Sequence, residues 1–233
     1  MPTTAAAKAG RLPRGVKMPA RNTRPRGVRT RKAILGRAVA LASVEGLEAL
    51  TIGRLAAALR MSKSGLFAHF GSKEELQCSA VEAAGEIFAD EVIRPCAGLR
   101  GLRRLRALCM HWFRHTELTA FPGGCFFTAA SLEFDDRPGR VRDRIVELMQ
   151  KWLHHLQATI VEAQAAGEVA PDVDPHGLAF EIHSLAMGAN WRSRLFKDSA
   201  AFSLSRRAIF ARLDQAATVD KRPRVKSSRE AQK

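Results

Sequence analysis

The side chains able to do chemistry in this sequence fall into four groups, and three of them have the wrong spacing for catalysis or metal binding. His111 and His115 stand one helical turn apart and would make half a metal site. No third ligand follows at a diagnostic spacing, so exposed or hydrogen-bonded histidines are the simpler reading. Cys78, Cys96, Cys109 and Cys125 form no C-x-x-C pair and lie in apolar stretches, which fits reduced thiols packed in a core. Asp135 and Asp136 sit in a turn signal with Arg140 four residues after Asp136, an arrangement for a cap or an ion pair. With no G-x-S-x-G, H-E-x-x-H or Gly-rich phosphate loop, the chain is expected to be no enzyme and to carry no metal or cofactor. The fourth group is Ser62-Lys63-Ser64-Gly65, followed by His69 and Lys73. Short hydroxyls, flexible cations and a glycine suit hydrogen bonding to base edges and phosphate oxygens. Their chemistry is binding.

Three short helices must position that group. Thr51 is a good N-cap for a helix over 52–59 and Ser62 for one over 63–70, with Arg60 and Met61 in the tight turn between them. Ser72-Lys73-Glu74-Glu75 forms a capping box that opens a third, longer segment through Leu76, Ala80 and Ile87 toward Arg94, where Pro95 ends it. A preceding helix over about 30–45 repeats Ile34, Leu35, Ala38, Leu41 and Ala42 at three- and four-residue steps. Leu55, Ala56, Leu59, Leu66 and Phe70 take the positions that fill the small core between these helices. Two capped helices across a tight corner describe a helix-turn-helix, which places the N-terminal end of its second helix in the major groove.

The charge is unevenly spread. The chain has 233 residues and a formal net charge of +15, but residues 1–33 hold ten basic side chains and no acid. Residues 218–233 hold six more, while 34–217 carry 22 basic against 21 acidic side chains. Residues 1–29 are Ala/Gly/Pro/Arg-rich and read as a disordered basic arm suited to phosphate or minor-groove contact, and 218–233 as a disordered tail. The same arm has a transit peptide's acid-poor bias. It has no Ser before Ser43, however, and Pro2, Pro13, Pro19 and Pro25 would interrupt an amphipathic helix. No uncharged apolar run approaches the roughly 18–20 residues of a membrane span, and no secretory apolar stretch is present, so a soluble cytoplasmic protein without a membrane partner is expected.

The first helix, then TIGRLAAAL, then MSKSGLFAHFGSKEEL, resemble the DNA-binding domain of TetR-type transcriptional regulators over about residues 28–88, through the spacing of Thr51, Ser62, Leu66, Phe67, His69, Phe70, Lys73 and Leu76. The resemblance implies that the second helix of the pair reads an operator while Thr51, Phe67, His69 and Lys73 lie near the phosphate backbone. The expected DNA-contact set is Thr51, Arg60, Ser62, Lys63, Ser64, Gly65, Leu66, Phe67, His69 and Lys73. Two positions depart from the family pattern. Arg60 stands where the turn usually has Gly, and Phe67 where Tyr is usual, so a hydroxyl able to bond a phosphate is missing.

Past Pro95 the chain reads helical at about 99–119, 123–132, 138–167, 174–197 and 200–216, with no strand alternation and no repeat. The expected fold is all-α with about nine helices: a helix-turn-helix domain over 30–94 and a ligand-binding and dimerisation bundle over 95–217. The resemblance implies a homodimer and an inducer pocket in that bundle. Cys109, Trp112, Phe113, Cys125, Phe126, Phe127, Trp152 and His183 are its expected lining, with Phe121, Phe134, Met149 and Met187 as further apolar candidates and His111, His115 and Glu133 as further polar ones. An aromatic stripe at helical spacing is equally the signature of ordinary core. Leu178, Ile182, Leu185 and Ala189 on the penultimate helix, with Phe202, Ile209 and Leu213 on the last, are the expected dimer interface. The function expected is a sequence-specific, ligand-released repressor that binds double-stranded DNA at a palindromic operator and responds to a largely apolar small molecule. A non-specific DNA-coating protein is the alternative.

Overall fold

A computed structural model describes residues 26–117 and 121–218. Among these residues the chain forms nine α-helices: α1 (Arg26–Glu45), α2 (Ile52–Leu59), α3 (Lys63–Phe70), α4 (Lys73–Phe88), α5 (Gly101–Glu117), α6 (Phe126–Phe134), α7 (Arg140–Ala165), α8 (Pro175–Phe196) and α9 (Ala201–Ala216). No strand occurs among them beyond one isolated bridge between Val169 and Ala217. The architecture is all-α.

The caps read from sequence set the starts of the short helices. Thr51 Oγ1 accepts the Arg54 N–H at 3.1 Å, Ser62 Oγ the Gly65 N–H at 3.1 Å, and Ser72 Oγ the Glu75 N–H at 3.0 Å. Each satisfies a backbone donor that the first turn leaves without a partner, a contribution of about 1 kcal/mol apiece. Helix α4 does not stop cleanly. It widens into a π turn (Ala89–Ile93) and then tightens into a 3-10 turn (Arg94–Cys96), with Pro95 removing the donor that further α-helix would need.

One continuous core joins the first four helices to the rest. Ile34, Leu35, Ala38, Val39 and Ala42 of α1 turn inward onto α4, and Leu76, Ala80, Val81 and Ala84 of α4 answer them. The other side of α4 packs on α7, so close at Gly85 that an added Cβ would lie 3.1 Å from Leu148 Cδ1. Helix α7, 26 residues long, is the spine against which α4, α5, α6 and α8 all pack, and α8 and α9 form an antiparallel hairpin at its far side.

Helix α1 begins four residues before the Thr30 read from its periodicity, so Arg26 to Arg29, assigned to the arm, are helical. The remainder of the arm (1–25) and nearly all of the expected basic tail (219–233) lie outside the described residues.

Candidate functional site

Helices α2 and α3 meet at a corner closed by Arg60. Its φ of 55° is left-handed, its N–H reaches the Ala57 carbonyl at 3.3 Å, and the following Met61 N–H reaches the Ala56 carbonyl at 3.0 Å. This is a Schellman closure, normally the place of a glycine, and a β-carbon there costs on the order of 1 kcal/mol. The closure turns α3 so that Lys63, Ser64, Phe67 and His69 are exposed while Leu66 and Phe70 are buried. Leu66 is 0% exposed, which corrects its place in the expected contact set: it fixes the angle of α3 and has no surface to offer. Gly65 is half-buried, and a Cβ there would press on the capping Ser62 Oγ at 3.0 Å.

Several cations of this head already have partners. Arg54 holds Glu45 through two bonds of 2.7 and 2.5 Å, and Lys73 donates to Glu48, which Arg137 approaches at 3.7 Å. The Lys73 ammonium keeps the Glu48 carboxyl below the usual carboxylate range, and Arg54 does the same for Glu45. Arg31 of α1 donates to Ser79 Oγ at 3.0 Å and lays its guanidinium 5.3 Å from the centre of the Phe70 ring, tying α1 to α4 and to the end of α3.

A cavity of about 920 Å³ lies behind this head, walled mainly by α4 with its π turn and by α7, with α1, the start of α6, α8 and Trp112 of α5 completing it. Trp112, Cys125, Phe127, Trp152 and His183 line it, together with Met149 and Met187. Burial holds the His183 pKa below its usual range, and the imidazole makes no hydrogen bond within the described residues, leaving one donor and one acceptor free. Burial raises the Cys109 thiol to about 12 and that of Cys125 upward, so neither is a thiolate at neutral pH.

The head and the cavity correspond to two family models. "Bacterial regulatory proteins, tetR family" matches residues 34–77, and "Tetracyclin repressor-like, C-terminal domain" matches 101–209, together more than half of the chain. This chain belongs to the TetR family of transcriptional regulators. It is 25% identical over 161 residues to the transcriptional regulator AcuR of Cereibacter sphaeroides, covering 65% of this chain and 70% of that one. A TetR regulator from Chloroflexus aurantiacus shares its fold with a TM-score of 0.75 and 25% identity, over 82% of this chain and 97% of that one. AibR, solved in complex with isovaleryl coenzyme A and operator DNA, gives 0.62 at 22% identity, over 78% and 96%.

Within this TetR-family fold, the remaining expected site residues divide. Cys109 and Phe113 miss the large cavity and border only a neighbouring void of about 10 Å³, while Phe126 is core, packed on Phe121. Of the polar candidates only His183 faces the cavity. His111 and His115 turn to Glu91, with His115 Nδ1 2.6 Å from its carboxylate and His111 Nδ1 3.1 Å from its carbonyl. The Glu133 carboxylate accepts the Leu47 and Glu48 backbone N–H groups at 2.7 and 3.1 Å, clasping the turn after α1. Among the described residues no cluster of His, Cys, Asp and Glu is placed to hold a metal ion. Sequence reasoning missed Thr128, Phe88 and the α1 contribution of Arg31 and Lys32. Nothing local in the sequence signals that α1 of the reading head borders the cavity.

The expected dimer face needs correction. Leu178, Ile182, Ala189, Ile209 and Leu213 are at most 5% exposed because they are the side of the α8–α9 hairpin that packs inward. Phe202 is half-buried, its ring 6.5 Å from those of Trp112 and Phe113. The outward side carries Leu185, already expected, with Phe180, Trp191, Leu195, Phe196 and Leu204. Helical periodicity found a hydrophobic stripe, but it could not say which of two stripes faces the protomer's own core.

Proposed function

We propose that this TetR-family regulator is a repressor that binds a palindromic operator as a homodimer and leaves it when a small molecule fills the cavity. The carrying observation is the cavity's position: α1 and α4 of the reading head form one side of it and α7, with parts of α5, α6 and α8, the other, so an occupant touches both parts. Lys63 and Ser64, exposed at the start of α3, are the residues to read base edges, and Arg60, Phe67, His69 and Lys73 lie on the same head to meet the backbone. Thr51 and Ser62 serve as caps whose backbone neighbours approach phosphates. In this reading residues 30–94 are the reading domain and 95–217 the effector and dimer domain.

Six large apolar side chains exposed together on α8 and the start of α9 support a second copy of this chain on that face. A two-fold dimer would set its α3 helices about 34–36 Å apart, one turn of DNA. The AibR complex with isovaleryl coenzyme A and operator DNA supports ligand and operator on one such fold. No helix among the described residues is long and apolar enough to cross a membrane.

Selection of bound DNA from a random pool tests the reading. A two-fold-symmetric motif with half-sites one turn apart is expected. Enrichment of no motif would favour a DNA-coating protein, and an asymmetric, monomer-sized footprint would remove the dimer.

A further inference from the structure

The cavity's wall and rim differ in chemistry. Trp112, Phe127, Trp152 and Phe88 are buried and make the wall, while exposed and half-buried charged side chains from α1, α4 and its π turn, and α7 make the rim. Most rim charges are neutralised in place. Arg144 pairs with Glu82 and Glu147, Lys151 with Glu147, and Glu86 and Asp90 share Arg94. Arg31 and Lys32 are the exception: among the described residues no carboxylate lies within ion-pair distance of either. The partners of Arg31 are neutral, the Ser79 hydroxyl and the Phe70 ring.

We propose that the cavity takes an amphipathic anion, its apolar body seated against Trp112, Phe127 and Trp152 and its acidic head held at the rim by Arg31 and Lys32. This rests on the reading of the cavity as the effector site. The chemistry shared by a carboxylate and a phosphate head suffices, because a guanidinium binds either through paired N–H donors and an ammonium either as a point charge.

The same two residues give binding a consequence for DNA. Arg31 and Lys32 close the run of cations that leads into α1, the run suited to phosphate contact. An acidic head at the rim neutralises them within a Debye length of about 10 Å, and drawing Arg31 toward it takes the guanidinium from Phe70, the last residue of α3. The head thus competes with DNA phosphates and loosens the seat of the reading helix together.

The test uses the full chain and its wall tryptophans, with decanoate, decanol and decanoyl coenzyme A as probes of a carboxylate, a neutral and a phosphate-bearing head. Decanoate, the coenzyme A ester or both are expected to change Trp fluorescence at concentrations roughly tenfold or more below decanol, an advantage that 1 M salt erodes. R31Q/K32Q should remove most of it while leaving decanol unchanged. K32Q alone, at a side chain with no ion pair among the described residues, should remove part of it, which keeps the test sound if loss of Arg31 disturbs the head. Which acidic probe prevails identifies the head. Equal binding of decanol and both acidic probes would overturn the proposal and leave the cavity reading standing; no response to any probe would overturn both.

Discussion

At the scale of single residues, Arg60 and His183 each hold a state that the surrounding structure imposes. Arg60 closes the corner between α2 and α3 at φ 55°, where a glycine would sit without a β-carbon clash. Arg60→Gly should therefore keep the fold and raise stability by up to about 1 kcal/mol, read as a higher Tm, since the entropy glycine adds to the unfolded chain opposes part of the gain. If Arg60 also meets a phosphate, the same variant binds all DNA sequences more weakly. His183 is kept neutral by burial, so its folded pKa lies below the unfolded value of about 6.5. As pH falls through that value the unfolded chain takes up a proton that the folded chain does not, and stability declines until the folded pKa is passed. His155, lowered by burial and then by Arg104, adds to the same limb. Denaturant melts from pH 7.5 to 5 should show this loss, and His183→Asn should flatten it; an unchanged slope would mean that His183 is not held neutral. The side-chain caps Thr51, Ser62 and Ser72 were legible in the sequence, because caps are local chemistry. The reciprocal half of the Ser72–Glu75 capping box is not formed: the Ser72 N–H donates to the Phe70 carbonyl and Glu75 accepts from Arg140 instead. The roles of Leu66 and Glu133 were not legible, since a side chain's direction depends on what packs above it.

At the scale of elements, α6 links the cavity to the reading head. Its start borders the cavity through Cys125, Phe127 and Thr128 and is held by Asn190 Oδ1, which accepts the Cys125 N–H at 3.1 Å. The turn before it lies against the end of α1, where the Gly123 N–H donates to Ser43 Oγ at 3.1 Å and a Cβ on Gly123 would fall 1.5 Å from the Ser43 carbonyl oxygen. Near its end, Glu133 clasps the backbone of Leu47 and Glu48, and Glu48 in turn holds Lys73. Replacing the carboxylate in Glu133→Gln weakens charge-assisted bonds to two amides. Ligand affinity, read by Trp fluorescence, should stay within about twofold, while the ligand concentration that releases operator rises roughly tenfold. Parallel shifts in both readouts would show that Glu133 serves only stability. The helices themselves were legible to within a few residues because their period and punctuation are local. The clasp pairs residues more than eighty positions apart, and one sequence carries no record of that.

At the scale of the whole molecule, two faces of the α8–α9 hairpin separate folding from assembly. Leu178→Ala empties a fully packed position and should lower protomer stability by roughly 2–5 kcal/mol. Trp191→Glu places a charge on an outward side chain that is 50% exposed, and should shift sedimentation toward the monomer while leaving the helical circular dichroism intact. A dimer that survives Trp191→Glu would place the interface elsewhere. The overall charge follows the same division, since the described body is nearly neutral and the excess of cations gathers in the N-terminal run and the tail. On the proposed reading, affinity for any DNA rests heavily on the arm, and choice among sequences on the few side chains exposed at the start of α3.

The most direct measurement compares affinity for a selected operator with affinity for its scrambled sequence at two salt concentrations, for the wild type and for K63A/S64A. The wild type should prefer the operator by a factor on the order of 10³ or more, a ratio that salt alters less than it alters either affinity. K63A/S64A should lose most of that preference while still binding scrambled DNA through the arm. A wild-type ratio near one, or an unchanged ratio in K63A/S64A, would contradict a reading helix that begins at Ser62.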